Sequence, residues 1–238
     1  VGGVEGLLGV GSTVSCTFVE VHDERVHDLL GKGRDLRLRE SASRGVHIPG
    51  VTKRLVEWEE DVMRALVIGL QKRGAIAAEE AEGGTQGGSG SGSGSQCSHT
   101  IFTVEVNRKA PDGSEHVSRL QLVDLGTPDQ PRPGTARSSR NAMPANQSLA
   151  ALDQCLQALT DTHPRAARPP APGEPNPQAI PYRDSKLTWL MRDALGGGAG
   201  ARGAVHRTTF IAVCSAEPQL LPATINNLRF AHRCRQAR

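Results

Sequence analysis

Aromatic side chains are scarce in this 238-residue chain, where 4 Phe, 2 Trp and 1 Tyr make up 3% of the residues. Proteins that hold single-stranded nucleic acid stack its bases on aromatic platforms. With few rings and no recognisable nucleic-acid motif, nucleic acid is not the expected partner. Long apolar runs are lacking too. No stretch reaches the roughly 18 residues that a membrane-spanning helix requires, and no signal sequence is visible, so no membrane partner is expected and the chain reads as cytoplasmic. The five cysteines, Cys16, Cys97, Cys155, Cys214 and Cys234, are odd in number and include no CxxC pair. That spacing argues against a disulfide framework or a zinc site and for reduced core thiols. The eight histidines lack ligand spacing as well, and no directly bound metal is assigned. Finally, Val1 to Thr13 is rich in glycine, but no lysine precedes Lys32. A phosphate-cradling Gly-Lys-Ser/Thr turn is therefore missing, and Lys32-Gly33-Arg34 has neither its spacing nor its strand-to-helix context.

What is present describes a globular chain. With 37% apolar and 22% charged residues it can bury a sizeable core. The formal net charge of +3 conceals an asymmetry: residues 1–118 carry 13 basic against 17 acidic side chains, a net −4, and residues 119–238 carry 15 against 8, a net +7. The second half therefore attracts an acidic polymer over a Debye length of about 8 Å at physiological salt.

Period-two alternation sets Val14, Cys16 and Phe18 on one side of a strand, and Phe102, Val104 and Val106 on one side of another. Leu120 to Leu125 and Thr208 to Val213 are more continuously apolar, the pattern of strands at the buried centre of a sheet. Helical spacing links Val62, Leu66 and Leu70; Leu149, Leu152, Leu156 and Leu159; Leu187 to Ala194; and Ile225, Leu228 and Ala231. Strands alternating with helices predict a three-layer α/β domain. Low-complexity stretches at 83–95, rich in Gly and Ser, and at 166–181, rich in Pro, read with Gly196 to Gly203 as loops grafted onto a single domain over 1–238.

The densest motif is Ile180-Pro-Tyr-Arg-Asp-Ser-Lys-Leu-Thr-Trp-Leu190. Pro181 keeps its predecessor extended, Asp184 or Ser185 can cap a following helix, and Leu187, Leu190, Met191 and Ala194 supply its apolar face. Arg183 and Lys186 project beside the cap. Five further motifs run in order: Val14-Ser-Cys-Thr-Phe-Val-Glu-Val-His-Asp-Glu-Arg-Val-His-Asp-Leu-Leu30, Ser98-His-Thr-Ile-Phe102, Leu122-Val-Asp-Leu125, Asn146-Gln-Ser-Leu-Ala-Ala-Leu152 and Asn227-Leu-Arg-Phe-Ala231. Together and in this order they resemble the kinesin motor domain.

The resemblance implies a kinesin-type, P-loop NTPase-like mixed sheet between helices, incomplete at the N-terminus and covering roughly the last two-thirds of a motor domain. It implies ATP with Mg²⁺ as cofactors, microtubules as partner and a place on the cytoskeleton. Arg183 and Lys186, with Asn146 and Arg54, fall at microtubule-facing positions. Ser95, Gln96, Ser98 and His99 align with the first nucleotide-sensing switch, and Asp124, Gly126 and Asp129 with the second. Departures from the family pattern are concentrated there: Gly92 stands at the usual asparagine, Cys97 at the arginine, Thr127 at the glycine, and Pro128 removes a backbone donor. Asp129 is one methylene shorter than the glutamate whose partner arginine Cys97 replaces. Two functions stay open at this point, a microtubule-stimulated ATPase motor fragment and a microtubule-binding module that no longer hydrolyses ATP.

Overall fold

Val14, Thr17, Val19 and Val21 fit a pleated, half-buried surface better than a helix, and they place the organising strand β1 at Ser12–His22. The computed structural model describes residues 11–41, 44–82, 98–110, 112–126, 143–161, 180–197 and 206–236, with backbone alone at 77–82, 143–146 and 161. These form two compact units, one drawn from 1–37 and 48–145, the other from 38–47 and 146–238.

In the first unit, β1 turns back into β2 (Arg25–Asp28) through Asp23 and Glu24, both at positive φ. That two-residue turn matches the twist of the hairpin strands. Nearer its start β1 also pairs with β5 (Arg54–Val56), and its other edge pairs with β6 (His99–Lys109), which pairs with β7 (Glu115–Asp124). The order β2-β1-β6-β7 is an open sheet, antiparallel at every described pairing. Helix α1 (Glu59–Glu82) lies on it, as expected for an α/β fold, and its Ala65 and Ile76 join Val14, Cys16, Phe18, Val56 and Phe102 in one core. The Phe18 and Phe102 rings meet edge to face at 5.3 Å. The helix approaches so closely that a Cβ at Gly69 would overlap the Phe18 ring. Asp28, 1% exposed, holds the chain after β2: one carboxylate oxygen accepts from the amides of Leu30 and Gly31, the other from that of Thr52.

The second unit contains the hairpin β3 (Arg39–Ser41) and β4 (Gly45–His47), helix α2 (Met143–Asp161), a 3₁₀ turn at Tyr182–Asp184, the short helix α3 (Lys186–Leu190) and helix α4 (Leu221–Gln236). Ala151, Leu152, Cys155 and Leu156 form the buried row of α2, and Tyr182, Leu187, Thr188, Met191 and Leu195 are buried along the segment that contains α3.

Three expectations are corrected. Residues 208–213 are not a buried strand: they carry no ladder, and Ile211 and Val213 are 86% and 77% exposed. A continuously apolar run becomes a central strand only if neighbours pair with both of its edges, and no described strand pairs with this one. It is tied instead to α4, where Phe210 packs edge-on against Phe230 and Asn227 donates to the Val213 carbonyl. β7 is a strand but not a buried central one: among the described residues it pairs only with β6, and its Leu120 and Leu122 are exposed. The helical spacing of Ile225, Leu228 and Ala231 is met in α4, where Ile225 and Leu228 are exposed. The helix expected over Leu187 to Ala194 is regular only to Leu190 and continues as turns to Gly196, whose positive φ ends it.

Of the low-complexity segments, 83–95 and most of 166–181 lie outside the described residues. Among the described cysteines, Cys16, Cys155 and Cys234 are buried free thiols and Cys214 is exposed. Burial pushes the Cys155 and Cys234 thiols up to about 11, which keeps them protonated and unreactive. No described helix is long and apolar enough to cross a membrane.

Candidate functional site

The β6–β7 register sets Thr100 opposite Asp124, so the end of β7 lies beside the start of β6 and joins the two motifs that flank them. Arg73 reaches this junction from α1. Its guanidinium donates to the Ser98 hydroxyl and the Ser98 carbonyl, each at 3.1 Å, and to the Asp124 carboxylate at 3.3 Å. It also lies 3.5 Å from Glu20 of β1. One planar cation with several donors thus ties a strand, a helix and both switch-like segments.

The surroundings of that cation are unequal. The Glu20 side chain is 6% exposed, and its second carboxylate oxygen is buried without a hydrogen-bond partner among the described residues. A buried carboxylate is tolerated only beside a compensating cation, so Glu20 makes Arg73 hard to withdraw. Asp124, at 71% exposure, is the loose end of the cluster. His99 is 1% exposed; its Nδ1 accepts from the Gly126 amide at 3.0 Å, and its Nε2 has no partner among the described residues. Burial depresses its pKa to about 4, outweighing the opposing pull of Glu24 and Asp124. His99 is therefore neutral at physiological pH, as its acceptor role requires.

These residues do not fit ATP and Mg²⁺ as a self-contained site. The Gly126 amide is spent on His99, and the Asp124 carboxylate is engaged by Arg73. No Gly-Lys-Ser/Thr loop exists in the chain to cradle phosphates. No phosphoryl-transfer step is derived from this geometry. What it shows is a pair of ties at the end of β7, Asp124 to Arg73 of α1 and Gly126 to His99 of β6.

The Ile180–Leu190 motif forms a second cluster. Ser185 is the cap of α3, with extended φ −142° and ψ 148°, and its hydroxyl accepts from the Leu187 amide at 3.1 Å. Thr188 locks the preceding 3₁₀ turn by donating to the carbonyls of Tyr182 and Ser185. On this frame the Arg183 side chain is 72% exposed, lies 5.4 Å from the centre of the Trp189 ring and pairs with Glu40 of the β3–β4 hairpin at 2.9 Å. Glu40 also accepts from Arg192, which in turn pairs with Asp193. The two arginines, Arg192 foremost, hold the Glu40 carboxyl down at about 2.

The structure brings Ser98, His99, Asp124 and Gly126 together, and places Arg183 and Lys186 on one turn and its following helix. Arg54 is exposed on β5 opposite Cys16, beside Asp61 and Arg64. Asn146 lies in α2, its side chain outside the described residues, and Ser95, Gln96 and Asp129 lie outside them altogether. Arg73, Glu20 and Glu40 escaped the sequence reading. Glu20 had a signal, an acid within the apolar run Phe18-Val-Glu-Val of a strand, which calls for a cation. Arg73 and Glu40 had none, because their partners lie far away in the chain.

The family described as kinesin motor domain matches residues 9–237. Among curated proteins, kinesin-related protein 5 of Dictyostelium discoideum is 30% identical over 227 residues, which are 94% of this chain and 20% of that protein. Kinesin-like protein 3 of Schizosaccharomyces pombe is 30% identical over 226 residues, 93% of this chain and 35% of that protein. A solved structure described as a fast kinesin superposes with a TM-score of 0.71 at 28% identity, covering 94% of this chain and 55% of that one. The chain thus spans about a fifth of the first relative and little more than half of the solved neighbour.

Proposed function

Because this chain belongs to the kinesin motor-domain family, we propose that it works as a motor-domain segment in microtubule-based movement, on the cytoskeleton in the cytoplasm. Both compact units act as one motor-type domain over 1–238. The Ile180–Leu190 surface meets the acidic microtubule, and the Arg73 junction couples the two switch-like segments to α1. ATP and Mg²⁺ belong to the family's chemistry, and no role in holding them is assigned to the described residues. The family relationship favours this reading over a module outside the motor cycle.

The observation that carries the reading is the Ser185-capped turn with Arg183 exposed on it. An exposed ion pair contributes about 0.2 to 1 kcal/mol, so a single alanine substitution weakens microtubule binding only modestly. Reversing both charges, Arg183→Glu with Lys186→Glu, removes both pairs, a loss of roughly 2- to 30-fold, and adds repulsion to it. Co-sedimentation with microtubules measures this, with circular dichroism as the folding control. A folded double variant that binds as tightly as the parent at low salt rejects the reading.

A further inference from the structure

The cation expected to face an acidic partner is engaged within the protein. Arg183 pairs with Glu40, and Glu40 is shared with Arg192. The two arginines differ in accessibility: the Arg183 side chain is 72% exposed and that of Arg192 is 13% exposed. Arg192 is also fixed by Asp193 at 3.2 Å, and Asp193 lies so close to the start of β4 that a Cβ at Gly45 would crowd its carboxylate. Glu40 with Arg192 is thus the anchored half of the network, and Arg183 its exchangeable half. Counting Arg183, Arg192, Glu40 and Asp193, the patch is electrically neutral.

We propose that Glu40 is an affinity-setting residue of this interaction surface: it holds Arg183 against the Trp189 face until a carboxylate on the microtubule takes its place, and its charge weakens that contact. This rests on the microtubule-binding reading above. A partner carboxylate approaching from solvent replaces Glu40 on Arg183 without uncovering Arg192, so the exchange trades one exposed ion pair for another. Exposed pairs are weak, which makes the trade easy and reversible. Trp189 keeps the guanidinium in place meanwhile, because a cation over an indole face is attracted by the ring quadrupole. Removing the Glu40 charge leaves the patch with a net positive charge and Arg183 without its internal competitor.

The test is the microtubule affinity of Glu40→Gln, measured by co-sedimentation at low and high salt. The expected result is binding tighter by about 1.5- to 5-fold at low salt, the range of one exposed pair, with the difference shrinking as salt screens it. Adding Arg183→Gln to Glu40→Gln is expected to abolish the gain. Glu40→Asp keeps a carboxylate beside the less exposed Arg192 and serves if the glutamine variant does not fold; it is expected to give an intermediate gain. If folded variants bind microtubules no more tightly than the parent, or if the gain persists without Arg183, the proposal fails while the microtubule reading stands. If neither parent nor variants bind microtubules at all, the underlying reading fails and takes this proposal with it.

Discussion

His99 has a neutral ring set among acids and a cation, and its value lies in staying neutral. Its Nδ1 can accept from the Gly126 amide only while unprotonated. In the unfolded chain it takes up a proton near pH 6.5, while in the folded protein burial delays this to about 4. The unfolded state therefore binds more protons between those values. The stability that His99 contributes is complete above about pH 6.5 and is lost as pH falls towards 4, with a limiting slope of about 1.4 kcal/mol per pH unit. Urea unfolding between pH 7 and 4 is expected to show a shallower loss for His99→Gln than for the parent, and equal slopes would remove His99 as the cause. At the same scale, Arg73 is valuable because Glu20 keeps it in place: a buried acid fixes the guanidinium that an exposed Asp124 alone would hold loosely.

At the scale of elements, the 3₁₀ turn and α3 depend on hydrogen bonds made within a few residues. The Ser185 hydroxyl satisfies the Leu187 amide, and its carbonyl accepts from Thr188 and from the Trp189 amide. Five residues are too few for a helix to persist on propensity, so the cap and the buried row Leu187, Met191 and Leu195 carry it. Ser185→Ala is expected to destabilise the protein by about 1 kcal/mol, the usual value of a lost N-cap, as read by urea denaturation. Since Arg183 stands on the same frame, the substitution is also expected to weaken microtubule binding; a variant that is less stable but binds normally would separate the cap from the surface. The strands behave differently. β1 is buried where Ala65 and Ile76 of α1 pack with its Val14, Cys16 and Phe18, whereas β7, alike in apolar content, is largely exposed.

For the whole molecule, charge is the property that matters for the proposed partner. The chain is slightly basic overall, yet its halves carry net charges of −4 and +7, and the Ile180–Leu190 motif lies in the basic half. Long-range attraction to an acidic filament therefore comes from many dispersed cations, while the patch around Arg183 is internally balanced. Parent affinity for microtubules is accordingly expected to fall steadily between low and high salt, as screening shortens from about 30 Å at 0.01 M to about 8 Å at physiological ionic strength. Co-sedimentation across a salt series tests this, and an affinity independent of salt would point to an apolar contact instead.

The sequence by itself determined what depends on near neighbours. Alternation along Val14, Cys16 and Phe18 set the buried face of β1, and the Asp184-Ser185 pair marked the helix start, because strand pleat and helix cap are decided within a few residues. Motif order along the chain was enough to indicate the family, which the match over residues 9–237 bears out. Tertiary structure decided the rest. Arg73 and Asp124 are 51 positions apart, and Arg183 and Glu40 are 143 apart, so no local pattern could couple them. It also decided that Leu120, Leu122, Ile211 and Val213 are exposed. Apolar content says that a segment gains by burial, but only the elements laid over its faces determine whether it is buried.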